Sequence, residues 1–137
     1  MRPGVVVLGL LSFGFLLAAC SSDSNKTAED PNVFPKDYQR ELLLTLTNKL
    51  DDPTNVKDAG ITDPVLRQAG KEQRYTVCVR YNARNGSRHY EGVKERIAYY
   101  YGGSLNQLIA ADQGQCQGAV YKPWPELEKY CLAKSCS

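Results

Sequence analysis

The residues that could carry catalytic chemistry are few in this sequence. His89 is the single histidine among 137 residues. Glu91, Glu95 and Asp112 have no spacing that would bring their carboxyl groups together around it. The sequence contains no G-x-S-x-G, P-loop or H-E-x-x-H motif. The pattern predicts a protein that is not an enzyme and that holds no cofactor.

The N-terminal residues have the pattern of a secretory signal. A positive charge at Arg2 precedes an apolar run from Val5 to Ala19, which ends in small residues. The run is too short for a transmembrane helix, which needs about 20 apolar residues. We therefore expect residues 1–19 to be a signal peptide.

The end of this run, Leu17-Ala18-Ala19-Cys20, resembles the lipobox of bacterial lipoproteins. The resemblance implies cleavage before Cys20, a diacylglycerol thioether on its sulfur and a third acyl chain on the new N-terminus. Several chains on one residue anchor a protein stably, whereas one chain does not. Ser21 stands where many bacteria use Asp to retain lipoproteins in the inner membrane, which favours the outer membrane, facing the periplasm. The alternative is an ordinary signal peptide followed by an unmodified cysteine.

The remaining cysteines form an even set once Cys20 carries lipid. In an oxidising compartment, four thiols predict two disulfides. Three pairings are open, and we favour Cys78–Cys116 together with Cys131–Cys136 because the first would join a central strand to the segment after the sheet. A zinc site is the alternative, but the thiols lack two closely spaced pairs, so we expect no metal.

Basic and aromatic residues interleave in the region 80–101. Arginine and tyrosine are enriched at binding hot spots, and such a surface would suit an envelope protein, an anionic glycan or a lipid headgroup. The alternative is a solvated sheet face with half-buried tyrosines. A net charge of only +2 and export from the cytosol both argue against nucleic acid. The predicted binding surface consists of Arg80, Arg84, Arg88, Arg96, Tyr99 and Tyr101.

The elements that would position these residues follow from hydrophobic periodicity. Apolar residues at helical spacing predict a helix over 36–50, which Asp51-Asp52-Pro53 ends. Residues 51–60 are predicted to form a loop. Alternation and turn signals predict antiparallel strands, and the tail contains a short predicted helix. The predicted strands are 61–67, 74–84, 93–101 and 104–110, and the tail helix is 126–133.

Composition is consistent with one folded unit behind the signal. Hydrophobic residues make up 42% of the chain and charged residues 23%. Residues 20–35 are mostly polar and predict a lipidated cysteine with a flexible tether, which leaves 36–137 as a single domain. The predicted fold class is α+β, with an N-terminal helix packed on a three- to four-stranded antiparallel sheet and a short C-terminal helix.

The order of elements over residues 36–120 is similar to the C-terminal domains of TolA and TonB. The similarity consists of a helix, a hairpin and cysteines within and after the sheet, and it implies an α+β domain of the cell envelope. A lipid anchor replaces the transmembrane helix of those proteins. The sequence as a whole predicts a lipid-anchored envelope protein with a non-catalytic structural or interaction role. The alternative is a binding module for a soluble ligand, such as an inhibitor of an envelope-attacking hydrolase.

Overall fold

The computed structural model describes Gly4 and residues 30–131. The predicted signal peptide, Cys20 and Cys136 lie outside the described residues, apart from Gly4. The order of elements is helix α1 (Tyr38–Lys49), strands β1 (Asp52–Ile61), β2 (Val65–Ala69), β3 (Glu72–Arg84), β4 (Tyr90–Tyr101), β5 (Ser104–Ala110) and β6 (Lys122–Pro123), and helix α2 (Pro125–Glu128).

All strand pairs in the sheet are antiparallel. The sheet order is β5-β4-β3-β1-β6, and β2 pairs with the first half of β3. The long strands β3 and β4 form the central hairpin, whose turn covers residues 85–89. The hairpin β3–β4 therefore lies inside the sheet, and β5 is an edge strand.

The predicted α+β fold class is wrong. Within the described residues, six strands form one antiparallel sheet, and strand residues far outnumber those of the short helix α1 and the single turn of α2. The predicted loop 51–60 is in fact β1, with register shifts along its pairing to β3. Asn55 and Asp58 both have φ of 54°, so bulges interrupt the alternation by which a strand is recognised.

Helix α1 forms because one side of it is apolar and can be buried. Leu42 and Leu46 are fully buried on the sheet, and the Leu50 N–H donates to the Leu46 carbonyl at the end of the helix. Leu44 faces solvent. The predicted range 36–50 matches α1 to within two residues.

Both faces of the central hairpin are covered, because successive residues of a strand point to opposite sides. The side under the two helices holds the larger cluster, and the other side holds a smaller cluster around a disulfide. The larger cluster includes Leu42, Leu46, Val77, Val79, Tyr81, Ala98, Leu108, Trp124 and Leu127. The smaller one consists of Cys78, Ile97 and Cys116 with partly buried neighbours.

The disulfide Cys78–Cys116 is present, as predicted, and joins β3 to the segment after β5. Its two residues are 38 positions apart. Closing a loop of that length restricts the unfolded chain enough to stabilise the fold by about 4 kcal/mol. Cys131 is also disulfide-bonded. The predicted Cys131–Cys136 pairing involves a residue beyond the described part of the chain.

The end of the predicted tether packs against the domain. The Gly102 N–H in the β4–β5 turn donates to the Pro31 carbonyl at 3.0 Å, and Phe34 meets Tyr75 edge to face. Gly103 has φ of 83°, and a Cβ there would lie 3.0 Å from Val33 Cγ1. A side chain at this turn would therefore disturb the docked segment. The chain joins the sheet at the β4–β5 turn.

Candidate functional site

The predicted basic and aromatic residues do not form one surface. Arg96 is paired with Val79 across β3 and β4, which places it on the side of the sheet under α1. Arg80 is paired with Glu95 and lies on the other side. There the Arg80 guanidinium stacks on the Tyr121 ring at 4.7 Å.

Gly60 makes the stacking of Arg80 on Tyr121 possible. Gly60 is paired with Arg80 across β1 and β3, and a Cβ at Gly60 would lie 3.0 Å from Arg80 Nε and 3.2 Å from Tyr121 Cβ. The Tyr121 hydroxyl donates to Glu95 Oε1 at 2.8 Å. Burial, together with this carboxylate, raises the pKa of Tyr121, so the phenol stays protonated as a donor. Arg80 is exposed and stacks on Tyr121, while Tyr121 and Glu95 are hydrogen-bonded to each other.

Arg84 and Arg88 lie toward the β3–β4 turn. Arg84 forms an ion pair with Asp52 at 2.6 Å, and Asp52 also accepts hydrogen bonds from Thr54. Arg88 is exposed in the turn, with φ of 63°. Both arginines line an open cavity of about 490 Å³ next to Asp52.

Tyr99 and Tyr101 lie near the other end of the hairpin. Tyr99 is half-buried against the disulfide cluster, and its hydroxyl accepts a hydrogen bond from Gln115 Nε2 at 3.2 Å. Tyr101 is exposed, with Arg74 over its ring at 5.1 Å. The six predicted residues are thus divided between two faces and two ends of the sheet.

A basic cavity of about 180 Å³ lies where α1 ends above the sheet. We call it the α1 cavity. Tyr81 lines it, and its hydroxyl accepts a hydrogen bond from Arg96 Nε at 2.6 Å. The charged residues that line it are Lys49, Arg84, Lys94 and Arg96, with the carboxylates of Asp51 and Glu91. The cavity brings together two of the predicted arginines, Arg84 and Arg96, with two lysines.

The outer edge of β5 is the second notable feature. The Ala111 N–H donates to the Glu95 carbonyl of β4, so in an antiparallel ladder Ile109 also points its backbone groups inward. Leu108 and Ala110 therefore point theirs away from the sheet. Nearer the turn, the Leu105 N–H is occupied by Glu41 Oε2 of α1 at 3.0 Å. The backbone groups of β5 that are free to pair with another strand are therefore those of Leu108 and Ala110, beyond the part of the edge that α1 contacts.

Two cavities lie beside this edge. One of about 380 Å³ lies between α1 and β5 and is lined by Thr45 and Lys49 together with Leu105–Ile109. The other, of about 350 Å³, includes Arg74, Tyr99 and Ile109. Asn106, Gln107 and Ile109 line both. We call this arrangement the β5 edge site. The sequence predicts a strand over 104–110, the residues of β5. Its position at the edge of the sheet depends on long-range strand pairing, which local sequence pattern does not predict.

Cys78 and His89 lie in different parts of the fold. Cys78 is in a disulfide. His89 is exposed in the β3–β4 turn, where its backbone N–H donates to Asn85 Oδ1. Within residues 30–131, no group of three or more His, Cys, Asp and Glu side chains could hold a metal ion. In the same part of the chain, no helix has the length and apolar character needed to cross a membrane.

The chain matches no protein-family model, no curated protein and no solved structure. Its function has to be inferred from its own residues.

Proposed function

We propose that this chain is a lipid-anchored, non-catalytic interaction protein of the bacterial cell envelope, and that it holds an extended segment of a partner protein at the β5 edge site. The anchor rests on the lipobox sequence that ends at Cys20. The non-catalytic role is supported by the disulfide at Cys78 and the exposed position of His89. The interaction role rests on one observation: β5 is an edge strand whose outer backbone groups are exposed.

Beyond the bulge at Asn106, residues 107–110 of the β5 edge have no feature that would prevent another strand from pairing with them. Exposed edges are usually protected by charges, proline or bulges because they can otherwise bind further strands. The seven residues of β5 include neither a charged residue nor proline. The other ends of the sheet differ, since β6 consists only of Lys122 and Pro123, and the five-residue strand β2 has Arg67 at its centre. Of these three strands, β5 is the one suited to accept a strand.

The chemistry of the partner follows from the rows of side chains that end at β5. On the side of α1, Leu108 follows Ala98 across the strands, and on the other side Ile109 follows Ile97. Leu108 is buried, but Ile109 is 41% exposed. An added strand with two adjacent apolar residues would extend both rows, with one side chain entering each cavity. Main-chain hydrogen bonds would supply affinity, and the cavities would supply selectivity.

The position of α1 favours a single extended segment over a second copy of the chain. Two copies paired through β5 would be related by a two-fold axis normal to the sheet. Each would then bring its α1 to the same side, next to the joint, where Glu41 already contacts the edge. A segment without a flanking helix meets no such crowding.

Ala110→Pro tests the proposal with little change to the domain. Ala110 is exposed, and its N–H points outward, so proline removes an edge donor but no bond of the β4–β5 ladder. Ala110→Ser keeps the donor and is the matched control. The full chain would carry a photo-crosslinking amino acid at the exposed Asn106, and crosslinks would be formed in intact cells.

We expect a crosslinked product in the wild type and in Ala110→Ser, and about a tenfold loss in Ala110→Pro. The crosslinks should map to one segment of the partner that contains two adjacent apolar residues. An undiminished product in Ala110→Pro, with thermal unfolding unchanged, would contradict the proposal. Crosslinks to the chain's own residues would replace the partner by a second copy.

A Cys20→Ala form tests the anchor separately. We expect the wild type to carry the mass of the acyl chains in intact-mass spectrometry and to be found with membranes, and the variant to lose both properties. A one-to-one complex with a soluble enzyme that persists in Cys20→Ala would favour the hydrolase-inhibitor alternative. An unmodified wild-type Cys20 would remove the lipid anchor from the proposal.

A further inference from the structure

The α1 cavity contains an arginine without an acidic partner. Arg96 is half-buried, and its Nε donates to the Tyr81 hydroxyl at 2.6 Å. Among the described residues, no carboxylate forms an ion pair with it. Removing a guanidinium from water is costly unless its donors are satisfied and its charge is balanced. The Tyr81 hydroxyl accepts a hydrogen bond from one guanidinium donor of Arg96 but does not balance the positive charge of Arg96.

The other charges of the cavity leave it with an excess of positive charge. Arg84 is paired with Asp52, and Lys94 with Glu91. Lys49 forms no ion pair within residues 30–131. Asp51 lies on the exposed rim, and the end of α1 adds partial negative charge, which Lys49 offsets. With Asp51 and the end of α1 set against Lys49, Arg96 is the cation of this cavity whose charge no described residue balances.

We propose that the α1 cavity binds the phosphate group of a ligand, with the guanidinium of Arg96 as its main donor. A cavity volume of about 180 Å³ has room for a phosphate group and part of its hydration. Arginine suits this role because its planar donors match the oxygens of phosphate in pairs. Tyr81 fixes the orientation of the guanidinium and acts as a positioning residue.

This site is distinct from the β5 edge site. Its donors are side chains of β3, β4 and the end of α1, whereas the edge site uses the backbone of β5. Lys49 lines a cavity of each site. Arg96 is paired with Ala110 of β5 through its backbone, which Arg96→Gln keeps, so phosphate binding and partner binding can fail independently in experiment.

The test is a titration of the folded protein with inorganic phosphate, observed by nuclear magnetic resonance through the Nε–Hε signal of Arg96. The hydrogen bond to Tyr81 slows exchange of this proton, which makes the signal observable. We expect a saturable shift with phosphate and none with sodium chloride of equal ionic strength. Arg96→Gln keeps an amide donor for Tyr81 but removes the charge, and binding, observed through backbone amide signals, should weaken about tenfold.

Lys71→Gln is the matched control, since it removes one exposed positive charge from the β2–β3 turn. It should bind phosphate as the wild type does. Tyr81→Phe keeps the charge but loses the orienting hydroxyl, so an intermediate loss is expected. Equal binding by wild type and Arg96→Gln, or an equal shift with chloride, would overturn the proposal.

A second arm distinguishes the sources of the phosphate. Unlipidated Cys20→Ala protein would be mixed with phosphatidylcholine vesicles with and without phosphatidylglycerol. Association that requires phosphatidylglycerol and is lost in Arg96→Gln would identify a lipid headgroup. Phosphate binding without vesicle association would identify a soluble or glycan-borne phosphate.

Discussion

Asp52 shows how single side chains define the end of the sheet near the β3–β4 turn. It accepts hydrogen bonds from the Thr54 hydroxyl and N–H and forms an ion pair with Arg84. The Asp52 and Arg84 side chains are only 17% and 22% exposed, so this pair is better shielded from solvent than an ordinary surface pair. The contacts between Asp52, Thr54 and Arg84 hold the start of β1 against the end of β3. The positive charge of Arg84 is therefore already paired with Asp52.

The hydrogen bonds from Thr54, together with Arg84, lower the pKa of Asp52 below its ordinary value of 3.8. The folded state therefore binds this proton less tightly than the unfolded state does. The resulting stability is fully present above about pH 5 and is lost as the pH falls through 3.8 and then through the lowered pKa.

We expect Asp52→Asn to reduce the free energy of unfolding by about 1 kcal/mol at pH 7. The difference from wild type should shrink toward pH 2, as followed by urea unfolding. Asp58→Asn is the control, because Asp58 is exposed and Asn tolerates its positive φ. A difference for Asp52→Asn that does not change with pH would contradict the role of its charge.

At the scale of elements, local pattern was sufficient for the helix and the central hairpin. The strand predicted over 104–110 coincides with β5, and the one over 74–84 lies within β3. The pattern was insufficient for β1, where Pro53, Asn55 and Asp58 all disfavour a strand. Pairing with β3 on one side and β6 on the other overrides those preferences. That pairing is long-range, so local pattern predicts neither the extra strands nor the mostly antiparallel sheet.

The candidate sites depended on the same long-range information. The sequence indicated a concentration of arginines and tyrosines but not which of them share a face. The bulge between Asn82 and Arg84 and the positions of the paired carboxylates decide which guanidinium groups are already satisfied. Lys49 and Arg96 line the same cavity only because α1 packs on the sheet, which no spacing along the chain reveals.

The packing of α1 gives a test of the main core. Leu46 is 1% exposed and contributes to the larger cluster, whereas Leu44, two residues away, is 56% exposed. We expect Leu46→Ala to lower the free energy of unfolding by about 3 kcal/mol because it leaves a cavity. Leu44→Ala should change it by less than about 0.5 kcal/mol. Equal effects in chemical unfolding would mean that α1 does not pack as described.

At the scale of the whole molecule, the proposed lipid at Cys20 would tether the domain by the end of the sheet at which Pro31 is held. Residue 31 is held at the β4–β5 turn, and the β2–β3 turn lies at the same end of the sheet. The β3–β4 turn is at the opposite end, about 40 Å away along a 12-residue strand. From Cys20 to Pro31 the chain can extend at most about 38 Å.

Fluorescence energy transfer to an acceptor dye in the bilayer would test this orientation. For the lipidated protein on vesicles, a donor at Lys71 should transfer more efficiently than a donor at Ser87 in the far turn. The Cys20→Ala form, which lacks the anchor, should show little transfer from either position. Equal transfer from the two positions in the lipidated protein would mean that the domain lies along the membrane surface.

The hydrogen bond between Gly102 and Pro31 also has a mechanical consequence. In the proposed lipid-anchored complex, a pull between the bilayer and a strand bound to β5 would enter the domain through residues 31–34, which dock at the β4–β5 turn, and would run along the strands. The force would then shear the ladder of hydrogen bonds, which must yield together, instead of peeling them apart one at a time. An attachment loaded in this direction resists tension better than its few hydrogen bonds would suggest.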